Sequence, residues 1–294
     1  MSSETAKPVV VGIGSGGHDY LHALAFAVSE ADRRHAPLRL VHGRAPLTMA
    51  PLFRAMSPAD EHHREALHAL EVAAGRSRRF TKGSLVVETV LSSTTGAEAL
   101  IAESRHACLL VVQRRDVSSL TRWTSGSTTE RVLAHGACPV AILRADVPVQ
   151  GTGSGVVVGV PDDDGAQPAL AVAFEEARLR GTGLTVVRAF GGSLKTLPTE
   201  ESDDSDESGQ GRERALGDLL EGLAPFTAQF PDVTVATVVV PEPVSLGLRR
   251  AAEGAELLVL GPEESPGSPQ RLGRVARECL KFAECPIIIT GLPA

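Results

Sequence analysis

The sequence is poor in aromatic residues and cysteine, and it contains no long apolar run. Aromatic residues make up only 3% of the 294 residues, too few for a platform on which nucleic-acid bases would stack. No apolar stretch approaches the ~20 residues of a membrane-spanning helix, and the polar start MSSETAKP is unlike a signal peptide. The four cysteines have neither the density of a disulfide scaffold nor the spacing of a zinc site. These absences predict a cytoplasmic protein that binds neither membranes nor metals.

Charge is unevenly distributed along the chain. The net charge is −7 and the pI is about 5.7, which argues against a nucleic-acid partner. Residues 1–150 carry 17 Lys and Arg against 14 Asp and Glu, whereas the remaining residues carry 12 against 22. All nine His lie in the first part. Because surface charge does not determine a fold, the two parts can still share one.

The chain contains an internal repeat. The run VVVGIG, which begins at Val9, returns as VVVGVP 147 positions later, and ACPVAIL returns as ECPIIIT at the same offset. Two anchors at one offset indicate a duplication. The repeat predicts a first domain over residues 1–149 and a second over residues 156–294. Residues 150–155, QGTGSG, form the glycine-rich linker between them.

Each half alternates short β-branched runs with amphipathic stretches. This alternation predicts an α/β fold, with two repeated, doubly wound domains of five parallel strands each. The predicted strands are Val9–Ile13, Leu38–His42, Leu85–Leu91, Leu109–Val112 and Val140–Leu143, then Val156–Val160, Leu184–Arg188, Val233–Val240, Leu257–Leu260 and Ile287–Thr290.

One strongly acidic segment does not match either pattern. Residues 199–214, TEESDDSDESGQGRER, contain six carboxylates within eight positions and almost no apolar residue. Such a segment cannot bury enough apolar surface to order itself, so it is predicted to be a disordered or solvated loop.

Several motifs together resemble the universal stress protein family, in particular the tandem type of actinobacteria. The ending GSTTERVLAHGACPVAIL, Gly126–Leu143, is similar to the family signature, and the strands ACLLVVQRR and AELLVLGPE are similar to the one before its phosphate loop. The resemblance covers both halves nearly end to end. It implies an adenine nucleotide alpha-hydrolase-like fold in each half, a pseudo-two-fold arrangement and a non-catalytic role in the stress response.

The family's nucleotide motif, G-x2-G-x9-G-[S/T], is only partly present in the first half. Its positions there are Gln113, Asp116, Gly126 and Ser127, of which the last two match. A side chain at Gln113 and a carboxylate at Asp116 both oppose phosphate binding. Ser127 also begins a capping box with Glu130, which stabilises a helix without any ligand.

The second half also retains part of the motif. Its positions are Gly261, Glu264, Gly273 and Arg274, of which the two glycines match. The candidate nucleotide-binding residues of the whole chain are therefore Gly126, Ser127, Gly261 and Gly273. The family's opening-strand carboxylate is replaced in both halves, by Gly14 and Pro161.

These departures predict a stress-response regulatory or ligand-sensing module with eroded nucleotide motifs, no catalytic residues and no cofactor. One alternative is a functional ATP-binding member that uses a rearranged phosphate loop. A second is an NAD-dependent oxidoreductase, because GIGSGG, Gly12–Gly17, satisfies G-x-G-x-x-G between a strand and a helix. That fingerprint needs an acidic residue at the end of the next strand, where His42 and Gly43 stand instead.

Histidine and cysteine patterns do not form a recognisable site. His62, His63 and His68 lack the spacing of helical metal ligands and are predicted to lie on a solvated helix face. Cys138 and Cys285 precede proline at equivalent repeat positions, so both are interpreted as buried structural thiols.

The fifth strand of each half predicts how the domains assemble. Family members commonly pair through this strand, and here both copies, PVAIL and PIIIT, are apolar and uncharged. Because the halves are tethered, pairing within one chain is favoured over pairing between chains. We expect the two sheets to join antiparallel through Ala141–Leu143 and Ile287–Ile289. Association of tandem chains into a homodimer is a further option.

Overall fold

The computed structural model describes two compact units. It describes residues 6–14, 20–44, 59–114, 127–145, 153, 155–161, 164–189, 204–240, 244–261 and 273–291. Residues Met1–Val149 belong to the first unit, and residues Gln150–Pro266 and Leu272–Pro293 belong to the second. Within the described ranges, no helix combines the length and the apolar character needed to cross a bilayer.

The first unit is a five-stranded parallel sheet with the strand order β3-β2-β1-β4-β5. Its strands are β1 (Val9–Gly12), β2 (Leu38–Gly43), β3 (Val87–Ser92), β4 (Leu109–Arg114) and β5 (Val140–Arg144). Its helices are α1 (Leu21–Arg33), α2 (Ala59–Phe80), α3 (Gly96–Ser104) and α4 (Thr128–His135).

The second unit repeats this topology, with the strand order β8-β7-β6-β9-β10. Its strands are β6 (Val156–Val160), β7 (Leu184–Ala189), β8 (Val235–Val240), β9 (Leu257–Leu260) and β10 (Ile287–Ile289). Its helices are α5 (Gln167–Arg180), α6 (Asp204–Gln229), α7 (Val244–Ala251) and α8 (Arg274–Phe282). The predicted fold class, two repeated α/β domains with parallel sheets, is confirmed.

The central strands form because their residues can be buried on both sheet faces. Val9, Val10 and Val11 of β1 are fully buried, and β4 is equally apolar over its first four residues. Such β-branched runs favour the extended backbone, and helices on either face remove them from water. In the first unit, α1 packs against α2 and α3 packs against α4.

A glycine near the end of each unit's first strand lets a helix approach closely. A Cβ at Gly12 would lie 3.1 Å from Leu100 Cδ1 of α3, and one at Gly159 would lie 2.9 Å from Leu248 of α7. These distances are shorter than ordinary carbon–carbon contacts, so a larger residue would push the leucine away. The first glycine of the GIGSGG motif therefore has a packing role that the second unit repeats.

The acidic segment differs from its prediction. Residues 199–214 were expected to form a loop, but α6 begins at Asp204, and residues 199–203 lie outside the described ranges. The later part of α6 buries one apolar face, which holds the helix to the second unit; its buried residues are Ala215, Leu219, Leu223 and Phe226.

Both units contain a buried ion pair at the same repeat position. Glu30 and Glu176 are 0% and 2% exposed, and they pair with Arg34 and Arg180 respectively, one turn further along the helix. A buried carboxylate is tolerated only when a cation or hydrogen-bond donors compensate for its lost hydration. The same pair recurs after 146 positions, which indicates that it contributes to the packing of each repeat.

Replacing the buried carboxylate by an amide tests this role. Glu176→Gln removes the buried carboxylate that pairs with Arg180, whose guanidinium also lies 3.9 Å from Glu256. We expect the free energy of unfolding to fall by about 3 kcal/mol, the lower end for a broken buried pair. The matched control is Glu175→Gln, because its pair with Arg178 is 42–50% exposed, and it should cost less than about 1 kcal/mol in urea unfolding. Equal losses for the two variants would contradict the assignment.

Candidate functional site

The carboxyl end of the first sheet brings three side chains into one row. Gly12 of β1 is in register with Val41 of β2, and β4 continues the same register on the other side of β1. One residue further along, Ile13, His42 and Gln113 therefore lie side by side. They share a face because side chains of parallel strands in register point the same way.

Gln113 caps the first helix of its unit. Its Oε1 accepts a hydrogen bond of 3.1 Å from the backbone N–H of Ala23, the third residue of α1. The N-cap residue of that helix, Tyr20, makes no side-chain capping bond. Gln113 therefore supplies an acceptor to a helix start that its local sequence does not cap. It does so from the position where the nucleotide motif has its first glycine.

Ser127 has the capping role expected from its sequence. It is the N-cap of α4, and its Oγ accepts a hydrogen bond of 3.2 Å from the backbone N–H of Glu130. The other candidate of the first unit, Gly126, lies outside the described residues, as do Asp116 and Glu264.

The two glycines of the second unit supply no side-chain caps to their helices. A Cβ at Gly261 would lie 3.8 Å from the Cβ of Ala169, the third residue of α5, at an ordinary van der Waals distance. Gly273 is the N-cap residue of α8 and has no side chain to accept a hydrogen bond. Neither α5 nor α8 has a side-chain cap from its own N-cap residue. At these motif positions a side chain caps the helix start in the first unit, whereas a glycine stands there in the second unit.

His42 is a buried imidazole with an unused nitrogen. It is 6% exposed, its pKa is lowered by burial, and a hydrogen bond to the Ile13 backbone only partly offsets that effect. Its Nδ1 makes no hydrogen bond to any residue of the described chain. A neutral imidazole that donates through one nitrogen presents the other as an acceptor.

A second unused imidazole nitrogen belongs to His63 of α2. The Nδ1 atoms of His42 and His63 are the two buried, unpartnered polar side-chain atoms of the described residues. Helix α2 packs on β2 and begins at the carboxyl end of the sheet. The prediction of a solvated face holds for the exposed His62 and His68, but it is wrong for His63, which is partly buried.

Potential metal ligands and thiols are distributed over both units, and three of the four cysteines are buried. Within the described ranges, no three His, Cys, Asp or Glu side chains gather as a metal site. Burial raises the pKa of Cys138 and of Cys285 to about 12, which supports their interpretation as structural thiols. Burial likewise raises the pKa of Cys279 to about 11. A thiol with such a pKa is almost entirely protonated at neutral pH, so it reacts with an oxidant more slowly than a thiolate does.

Comparison with known proteins identifies the family. The model of the universal stress protein family matches residues 5–144 and again residues 155–291. The chain belongs to the universal stress protein family. It is 27% identical over 299 residues to a universal stress protein of Mycolicibacterium smegmatis, with 98% of each chain covered. It is 28% identical over 290 residues to universal stress protein Rv2005c of Mycobacterium tuberculosis, with 96% of each covered.

Solved structures share the fold of this tandem universal stress protein along nearly its whole length. A universal stress protein from Archaeoglobus fulgidus has a TM-score of 0.67 at 14% identity and covers 96% of this chain and 95% of its own. A Pseudomonas aeruginosa structure described under the same family name has a TM-score of 0.63 at 18% identity and covers 97% and 92%. At these identities the likeness concerns the fold alone. The resemblance carried by Gly126–Leu143 and its companion motifs is confirmed.

The burial of His42 predicts a specific pH dependence of stability. Because its folded pKa lies below the usual 6.5, the unfolded chain binds this proton more readily. The free energy of unfolding should therefore fall as the pH drops from about 6.5 towards the folded pKa. In urea unfolding at pH 7.5, 6.5 and 5.5, His42→Gln should show a smaller acid-induced loss than the wild type. The exposed His62→Gln is the control, and a His42→Gln slope equal to that of the wild type would refute the prediction.

Proposed function

We propose that this chain is a non-catalytic, ligand-sensing module of the cytoplasmic stress response, and that its own side chains fill the first unit's nucleotide site. The observation that carries the proposal is the hydrogen bond from Ala23 N–H to Gln113 Oε1. Backbone N–H groups at helix starts are natural partners of phosphate. In the first unit one such group is already satisfied by Gln113 and another by Ser127.

A phosphate in the first unit would have to displace these caps. Each intramolecular hydrogen bond stabilises the fold by about 1 kcal/mol net, so losing two of them offsets much of the gain from a new anion. Gly14 and Pro161 provide no carboxylate at the end of either opening strand. These features support an eroded nucleotide site and no bound cofactor.

The three side chains that lie in one row at the carboxyl end of the first sheet support the absence of catalysis, because none of them is a reactive group. Ile13 is apolar, Gln113 is committed to the α1 cap, and His42 is buried and held near neutral charge by its lowered pKa. None of the three is a nucleophile next to a base, which covalent catalysis requires. The unused His42 Nδ1 instead supports recognition of a hydrogen-bond donor on a ligand.

A second candidate, a functional ATP-binding member, is favoured by the second unit. There Gly261 supplies no side chain at the start of α5, and Gly273, the N-cap residue of α8, supplies none at the start of that helix. Glycine at such positions allows phosphates to approach the backbone closely.

Calorimetry separates the two candidates. The proposal predicts no ATP, AMP or NAD binding to the wild-type protein at ligand concentrations up to about 1 mM, which corresponds to binding weaker than about −4 kcal/mol. The matched variants are Gly261→Gln, which introduces the first unit's capping residue into the second, and Gln113→Gly, which does the reverse. Micromolar ATP binding to the wild type that Gly261→Gln abolishes and Gln113→Gly leaves unchanged would overturn the proposal in favour of the second candidate.

We also propose that the two domains pair through their fifth strands, β5 and β10. Each is the last strand in the order of its own unit, and each is apolar over Ala141–Leu143 or Ile287–Ile289. An apolar edge strand exposes backbone N–H and C=O groups that a second strand would satisfy.

Separate expression of the two halves tests this pairing. Residues 1–149 and 150–294, each alone, should dimerise with themselves or aggregate, and mixing them should give a 1:1 complex in analytical ultracentrifugation. Two monomeric halves that do not bind each other would contradict the pairing, and the intact chain provides the reference for the complex.

A further inference from the structure

Cys108 and Cys138 lie just before the neighbouring strands β4 and β5 of the first unit, at the amino ends of both. Leu110 of β4 is in register with Val140 of β5, and its N–H donates to the Pro139 carbonyl at 2.9 Å. Both cysteines precede their strands, but extending the register back by two positions brings Cys108 close to Cys138. Neighbouring strands lie about 4.8 Å apart, which falls within the ~4.4–6.8 Å between Cα atoms that a disulfide bridges.

The two thiols differ in their access to solvent. Cys138 is 6% exposed, whereas Cys108 is only partly buried. The Cys108 Sγ donates a weak hydrogen bond of 3.4 Å to the Pro8 carbonyl. The proximity of the two thiols also acts on Cys138, because a charge on Cys108 contributes to its raised pKa. Cys108 is therefore the thiol that a small oxidant reaches first.

The second unit provides an internal comparison. Leu258 of β9 is in register with Ile287 of β10, so Cys285 takes the place of Cys138 and Glu256 takes the place of Cys108. The nearby Cys279 of α8 is 4% exposed, as is Cys285 itself. The second unit therefore has no cysteine in the position of the accessible Cys108.

We propose that Cys108 and Cys138 form a reversible oxidation site for peroxide, independently of any nucleotide function. Hydrogen peroxide oxidises the Cys108 thiol to a sulfenic acid, and one water leaves. The Cys138 sulfur then attacks the Cys108 sulfur, the S–S bond forms, and a second water carries away the hydroxyl and the Cys138 proton. The two thiols together lose two electrons, which reduce one peroxide to two waters. A thiol reductant restores both cysteines.

The disulfide would restrain a defined part of the first unit. It closes the chain between positions 108 and 138, which contains β4, Ser127 and α4. Joining the beginnings of β4 and β5 limits their separation and so stabilises the helix that connects them. Oxidation would thus introduce a reversible disulfide into the first unit, in which side chains cap the helix starts at the nucleotide motif.

Mass spectrometry of the intact protein tests the site. The reduced chain is treated with an equimolar amount of hydrogen peroxide, alkylated, unfolded and digested. We expect a cross-linked peptide pair containing Cys108 and Cys138, about 2 Da lighter than the reduced pair. Cys279 and Cys285 should remain reduced. Full alkylation of both Cys108 and Cys138 after oxidation, or equal oxidation of the Cys279 and Cys285 pair, would overturn the proposal.

Serine variants of the full chain separate the two steps. Cys138→Ser should stop at a Cys108 sulfenic acid that dimedone traps, whereas Cys108→Ser should take up no dimedone and form no cross-link. Cys279→Ser is the matched control and should cross-link like the wild type. Efficient cross-linking of Cys138 in the Cys108→Ser variant would contradict the assignment of Cys108 as the entry point.

Discussion

The structure depends on satisfying the backbone N–H groups where helices begin at the carboxyl ends of parallel strands. Parallel strands bring these ends to one edge of each sheet, and α1 and α5 begin beside it. Unpaired N–H groups at a helix start must find an acceptor in the protein, in water or in a ligand. Gln113 provides that acceptor for α1, whereas Gly261 provides none for α5. The two units therefore differ in whether a side chain from the sheet caps the first helix.

Local patterns in the sequence predict most of the fold. The repeat of VVVGIG and ACPVAIL predicts two domains. The β-branched runs predict the positions of the strands to within a few residues. The start of α6 is the exception, because the buried face of its later turns holds this helix to the second unit, and the acidic composition of residues 199–214 does not indicate that face. Composition alone does not reveal that the apolar face begins only at Ala215.

The candidate site was predicted only in part. Ser127 is a cap because its partner is three residues away, within reach of a local pattern. The Gln113 cap joins positions 90 residues apart, and the burial of His42 and His63 depends on how α2 packs on β2. Such contacts follow from tertiary structure, so no short motif signals them. The sequence feature that could have indicated the cap is the side chain of Gln113 at a position where the motif has glycine.

Comparison of the two repeats separates packing from function. Gly12 and Gly159 admit a leucine in the same way, and the buried Glu–Arg pairs recur, so the positions that hold helices to sheets are shared. The differences lie at the strand ends, where His42 and Gln113 correspond to Arg188 and Gly261.

Both copies keep the residues that pack their helices on the sheet, so the residues at the carboxyl ends of the strands can change without loss of the fold. In the first unit such a change adds the Gln113 cap to the first helix, which Gly261 cannot supply in the second.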